Sequence, residues 1–173
     1  ESWDDRTNGI PEEAWTKVVR EDPVRPGLLY LGTETGMYVS WDQGEHWQSL
    51  QLNLPNTPIN DLIVQRREND LVAATSGRSF WILDDLTPLQ NAVEVEGSDT
   101  YLLAPRHAYR LALSGGGGPG GNNGGQNPPD GAVFDIYLAE EPTENDTVSV
   151  EILSSAGDVM RTYSTHPDEE LSP

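Results

Sequence analysis

The sequence predicts an all-β chain: four-stranded propeller blades, then a glycine-rich linker, then the first part of a β-sandwich. Three observations carry this. Two stretches, LYLGTETGMYVSWD (29–42) and LVAATSGRSFWILD (71–84), align Leu29 with Leu71, Thr33 with Thr75, Tyr38 with Phe80 and Asp42 with Asp84, always 42 residues apart. A period of about 40–45 residues is that of a propeller blade. Short β-rich runs bounded by turn formers recur along the chain, and a low-complexity run at 114–131 separates two regions of strand-like alternation.

Within the first period, WTKVVRE and GLLYLGT are strand-like runs separated by Pro23, Pro26 and Gly27. GMYVSWD follows the tight TETG turn, and HWQSLQL returns after QGE, which completes four short antiparallel strands. The second copy begins at Ile59 and reaches SFWIL before the pattern dissolves into DDLTPLQ; ahead of the first copy, SWDDRTNGIP reads as the tail of a preceding blade. One blade cannot bury both of its faces, and at least about three repeats are normally needed. Upstream blades of a longer parent chain are therefore the expected partners of residues 1–92, and the absence of an initiator methionine agrees with an excised piece.

Residues 93–113 form an exit segment, and 114–131, SGGGGPGGNNGGQNPPDG, a Gly/Pro/Asn-rich linker. Its G-x-G spacings lack the leading strand, following helix and Lys-Ser/Thr that a phosphate-binding loop requires. From 132 to 173, AVFDIYLAE and DTVSVEILSSAG alternate with the two-residue period of half-buried strands, and DVMRTYS makes a third across the SSAGD turn. This part resembles the beginning of an immunoglobulin-like sandwich, of which a full copy takes about 100 residues.

Charge narrows the partners. The chain has 29 acidic residues against 10 basic ones, a formal net charge of −19. Nucleic acid and anionic membranes are bound through cations that displace counterions, so neither is an expected partner. The acidity fits either solubility outside the cell or adaptation to high salt, which screens self-repulsion. No apolar run approaches the roughly 20 residues of a membrane span, and there is no cysteine.

The octapeptide SWDQGEHW (40–47) joins two strands of the first period. Gly44 can take the positive φ of a tight turn, while Asp42 and Ser40 can accept its backbone N–H groups. Trp47 is placed to fold across the hairpin. One carboxylate without a ladder of further oxygens cannot assemble a calcium site of six to eight ligands. The pattern Ser40-x-Asp42-x-Gly44-x-x-Trp47 resembles the Asp-box of sialidase-type and sortilin-type propellers, where it implies a fold-stabilising rim hairpin. In the second copy only Asp84 remains of the box. Longer runs, from VVREDPVRPGLLYLGTETGMYVSWDQGEHW through ATSGRSFWILDDLTPL, LLAPRHAYRL, NPPDGAVFDIYL and VEILSSAGDVMRT, are similar to bacterial sortilin-like proteins with Asp-box (BNR) repeats. Such proteins are often labelled glycosyl hydrolases, and the resemblance implies a secreted, periplasmic or cell-surface location. Family members have histidine where this chain has Asn60 and Ser76, so a site built on those histidines is not expected here.

No residue is assigned a catalytic, metal-binding or cofactor role. A glycosidase needs two carboxylates across a cleft, about 5–9.5 Å apart, whereas Asp84 and Asp85 are adjacent at a strand end and Asp4 and Asp5 lie in a blade tail. His46, His107 and His166 are scattered, without metal-ligand or triad spacing. Arg78, in the TSGRSFW loop between the second and third strands of its repeat, is the candidate ligand-face residue: its guanidinium could engage a carboxylate or a sugar hydroxyl, or bond acids and carbonyls between blades. Two functions follow. One is a binding or scaffold module for peptide or glycan; the alternative is part of a glycoside hydrolase whose acids lie on upstream blades.

Overall fold

The computed structural model describes residues 3–108 and 131–165. The linker expected at 114–131, apart from Gly131, lies outside the described residues, as do the end of the exit segment and His166. The described chain is built mostly of strands arranged in small antiparallel sheets, with one α-helix among them.

The first sheet contains β1 (Thr16–Glu21), β2 (Leu29–Thr33), β3 (Met37–Ser40) and β4 (Gln48–Ser49), in sequential order. The second contains β5 (Ile59–Gln65), β6 (Asp70–Thr75) and β7 (Phe80–Leu83), again sequential, but with three strands. The two sheets pack face to face over one core that includes Tyr30, Val39, Ile59, Leu62 and Leu71. Gly32 sets how closely they approach. A Cβ built there would fall 2.8 Å from Ile59 Cγ2 and 2.8 Å from Val18 Cγ1, so only a residue without a side chain leaves room. At the sheet edge, Arg20 reaches from β1 to Asp61 Oδ1 (2.6 Å) and to the carbonyl of Leu62 (3.0 Å) on β5.

Comparing the two sheets strand by strand refines the repeat. Leu29 faces Ser40 in the first sheet, and Leu71 faces Leu83 in the second. The connection between the second and third strands is therefore one residue longer in the second copy. Tyr38, opposite Leu31, has its counterpart in Trp81, opposite Ala73, and not in Phe80 as sequence identity pairs them. Similarly Asp42 corresponds to Asp85 and not to Asp84. The threonines do correspond: Thr33 Oγ1 donates to the carbonyl of Gly36 (3.0 Å) and Thr75 Oγ1 to that of Ser79 (2.6 Å), each bracing its own turn.

Where the first copy returns as β4, the second turns into helix α1 (Thr87–Val95), an element the strand pattern did not anticipate. Asp85 starts it, its Oδ1 accepting the N–H (3.1 Å) and hydroxyl (2.6 Å) of Thr87. Pro88 fits the first turn, where a helix has no use for its N–H. The helix then lies against the first sheet: Trp41 Nε1 donates to the carbonyl of Leu89 (2.7 Å) and Leu89 packs on the core.

Beyond the helix, β8 (Thr100–Leu102) pairs antiparallel with β9 (Ile136–Leu138), so part of the exit segment joins the C-terminal strands. β10 (Ser149–Leu153) and β11 (Val159–Ser164) form a hairpin, with Gly157 at φ 91° in its turn. The strands expected from AVFDIYLAE, VSVEIL and DVMRTYS are present as β9, β10 and β11, but β9 takes β8 and not β10 as its neighbour.

Candidate functional site

The SWDQGEHW hairpin joins β3 to β4, and its polar groups are directed at its own backbone and side chains. Ser40, fully buried, donates its hydroxyl to Asp42 Oδ1 (2.8 Å) while its Oγ accepts the N–H of Gly44 (2.9 Å). Asp42 Oδ1 also accepts the N–H of His46 (2.9 Å), and its Oδ2 lies 2.6 Å from His46 Nδ1. Partial desolvation pushes the Asp42 carboxyl upward, but the backbone and ring of His46 and the Ser40 hydroxyl outweigh it and hold the pKa down at about 2. Gly44 takes φ 86°, and a Cβ there would stand 3.3 Å from the Trp47 ring. Trp47 is 8% exposed, donates Nε1–H to the carbonyl of Arg6 (2.8 Å), and through its own N–H holds the carbonyl of Asn8 (2.8 Å). The hairpin thus pins the N-terminal segment to the sheet. Both carboxylate oxygens of Asp42 bond groups within the hairpin.

A second polar cluster stands where β6 begins and β7 ends. Arg106, from the exit segment, lies 3.7 Å from Asp70 Oδ1 and 3.7 Å from Asp85 Oδ2, and donates to the carbonyl of Glu68 (3.2 Å). Asp84 is beside them: burial and the charge of Asp70 raise its carboxyl pKa, with Arg106 pulling the other way. Adjacent as they are, Asp84 and Asp85 are exposed and half-buried respectively, and Asp85 is committed to the helix start. Among the described residues no group of three His, Asp or Glu side chains is placed to hold a metal.

A third network was not anticipated from the sequence. Asp22 is buried, yet its Oδ1 accepts the N–H groups of Val24 and Arg25 (both 2.8 Å) and its Oδ2 the hydroxyl of Tyr30 (2.8 Å). Burial first, then the Asp22 contact, raises the Tyr30 pKa, so the phenol stays protonated as the donor. Gln90 of α1 completes the network, bonding Asp22 Oδ2 (3.0 Å) and Asn69 Oδ1 (2.8 Å) through Nε2 while Arg25 donates to its carbonyl. No local signal marks a glutamine that will find an aspartate 68 residues away.

Arg78 presents a different situation. It is exposed, in the β6–β7 connection, and only its backbone is engaged: the N–H donates to Thr75 Oγ1 (3.1 Å) and the carbonyl accepts Trp81 Nε1 (2.9 Å). The guanidinium makes no ion pair with any described residue. It stands at one end of β7, an edge strand of the three-stranded sheet. No family model, curated protein or solved structure matches the chain. His107, like Arg78, is exposed.

Proposed function

We propose that the chain is part of an extracytoplasmic, sortilin-like Asp-box propeller protein, in which it serves as a binding and scaffold module for peptide or glycan. The two packed sheets are successive blades, the partner of their outer faces is the rest of the ring, and the C-terminal strands begin an immunoglobulin-like spacer. The observation that carries the binding role is the contrast between Asp42 and Arg78. The conspicuous polar motif spends its carboxylate on its own hairpin, whereas Arg78 holds its guanidinium in solvent on a braced loop, in a chain of net charge −19. An exposed, positioned arginine suits a carboxylate or a vicinal pair of sugar hydroxyls.

Arrays of acidic peptides and of glycans, probed with the wild-type chain and with Arg78→Ala, test this reading. Retention of a ligand by the wild type, its loss in Arg78→Ala and an unchanged melting temperature are expected. Undiminished ligand retention by Arg78→Ala together with a lowered melting temperature would show that the arginine is structural and overturn its recognition role. Turnover of any glycoside by the chain would replace the module reading with an enzymatic one.

A further inference from the structure

The two sheets differ by one strand, and the first shows what the second lacks. In an antiparallel ladder, residues alternate between those whose N–H and C=O face the neighbouring strand and those whose groups face away. In the first sheet the turn bond from Thr33 N–H to the Gly36 carbonyl (2.9 Å) fixes this phase. Met37 and Val39 then direct their backbone groups away from β2, and β4 meets them: the Leu50 N–H donates to the Met37 carbonyl (2.9 Å), and Val39 pairs with Gln48. In the second sheet the equivalent bond, Thr75 N–H to the Ser79 carbonyl (3.2 Å), sets the same phase. The backbone groups that face away from β6 are those of Phe80 and Ile82, and no described residue hydrogen-bonds to them from that side.

The two strands also present opposite faces: Met37 and Val39 point into the core between the sheets and are 6% and 2% exposed, whereas Phe80 and Ile82 alternate with the core-packed Trp81 and Leu83 and are 74% and 60% exposed. A bare strand edge bearing large apolar side chains is a ready template for another strand. At its N-terminal end stands Arg78, whose exposed guanidinium makes no ion pair with any described residue. In the first sheet the residue after Leu50, Gln51, lays its side chain against Gly36 and the N–H of Met37 (3.4 Å). The matching position on an added strand falls against Ser79, beside Arg78.

We infer that the edge of β7 is a docking site for an extended peptide that adds antiparallel as the missing fourth strand, with an apolar residue opposite Phe80 and an acidic residue immediately after it beside Arg78. Main-chain bonds to Phe80 and Ile82 give affinity, and the arginine gives direction and register. The inference rests on the binding-module reading and names its site and its class of partner.

The test uses the whole 173-residue chain and synthetic peptides. The first probe has the sequence of residues 46–52, HWQSLQL, which is the strand the first sheet uses; the second carries Gln51→Glu; the third is the second with its Leu50 nitrogen methylated. Hydrogen exchange resolved at single amides is the readout. The first two probes are expected to slow exchange at Phe80 and Ile82 while leaving β2 amides unchanged. The Glu probe is expected to bind roughly tenfold tighter than the Gln probe, about what one charge-assisted hydrogen bond gives, and Arg78→Ala to erase that difference. The N-methylated probe, unable to donate to the Phe80 carbonyl, is expected to bind at least about tenfold more weakly. Unchanged exchange at Phe80 and Ile82 at millimolar peptide, or equal protection by the methylated probe, would overturn the inference. If array ligands are nevertheless retained in an Arg78-dependent way, the module reading survives that failure.

Discussion

The side-chain amide of Gln90 lies 3.0 Å from Asp22 Oδ2, joining a helix that follows the second sheet to a buried turn of the first. Tyr30 and two backbone N–H groups satisfy the rest of that carboxylate. Replacing Gln90 by alanine removes one donor from a buried charge and should cost about 1–3 kcal/mol. Gln90→Glu should cost more, because it sets a second carboxylate against the first and removes the donor between them. Urea unfolding of both variants checks the order; equal stability of the two would contradict it.

The same helix is also anchored by an indole. Trp41→Phe keeps an aromatic ring at this position but deletes the N–H that bonds the Leu89 carbonyl. A loss of about 1 kcal/mol is expected, with faster exchange confined to the amides of residues 87–95. A global change in exchange would mean that the ring's packing, and not its N–H, is what matters.

Gly32 lets Ile59 of the second sheet come close to β2. Gly32→Ala should destabilise by about 1–3 kcal/mol, since Ile59 and Val18 must retreat. Paired with Ile59→Ala, which removes one of the obstructing groups, the two penalties should fall clearly short of additive in a double-mutant cycle. Additive penalties would place the strain elsewhere.

Acid should loosen the SWDQGEHW hairpin in a defined window. The folded pKa of Asp42 is depressed from 3.8 to about 2, so its contribution is complete above the unfolded value and drains away as pH falls from about 4 through 2. The group is over a third exposed, and solvent screening limits the effect to about 1 kcal/mol or less. Asp42→Asn should flatten that part of the stability–pH curve. Asp84 runs the opposite way: burial and Asp70 raise its pKa, so its charge opposes folding above the unfolded value and the penalty is absent below it. Asp84→Asn should therefore raise the melting temperature slightly at pH 7 and leave it unchanged at pH 3.

Strands β1 to β7 were legible because short apolar runs alternate with turn formers, and because Thr33 and Thr75 brace turns at matching places. The extra residue in TSGRSF relative to TETGM was visible only by count; identity between Asp42 and Asp84 concealed it, and register alone shows that Asp85 is the true counterpart. Helix α1 had local signs in Thr87 and Pro88, but the strand pattern simply dissolves into DDLTPLQ and names no element there. The Asp22–Gln90 bond and the Trp41–Leu89 bond had none, since they are products of tertiary approach. Arg78 could be singled out as a cation on a loop, yet the bare strand it borders follows from hydrogen-bond phase, which no residue pattern records.

The helix has a further consequence for how this chain comes apart. By gripping the first sheet after the chain has already left the second, α1 acts as a clasp over both. Peeling the chain from its C-terminal side must undo Trp41 and Gln90 before β7 can leave, so the two sheets should yield in a single mechanical event rather than one after the other.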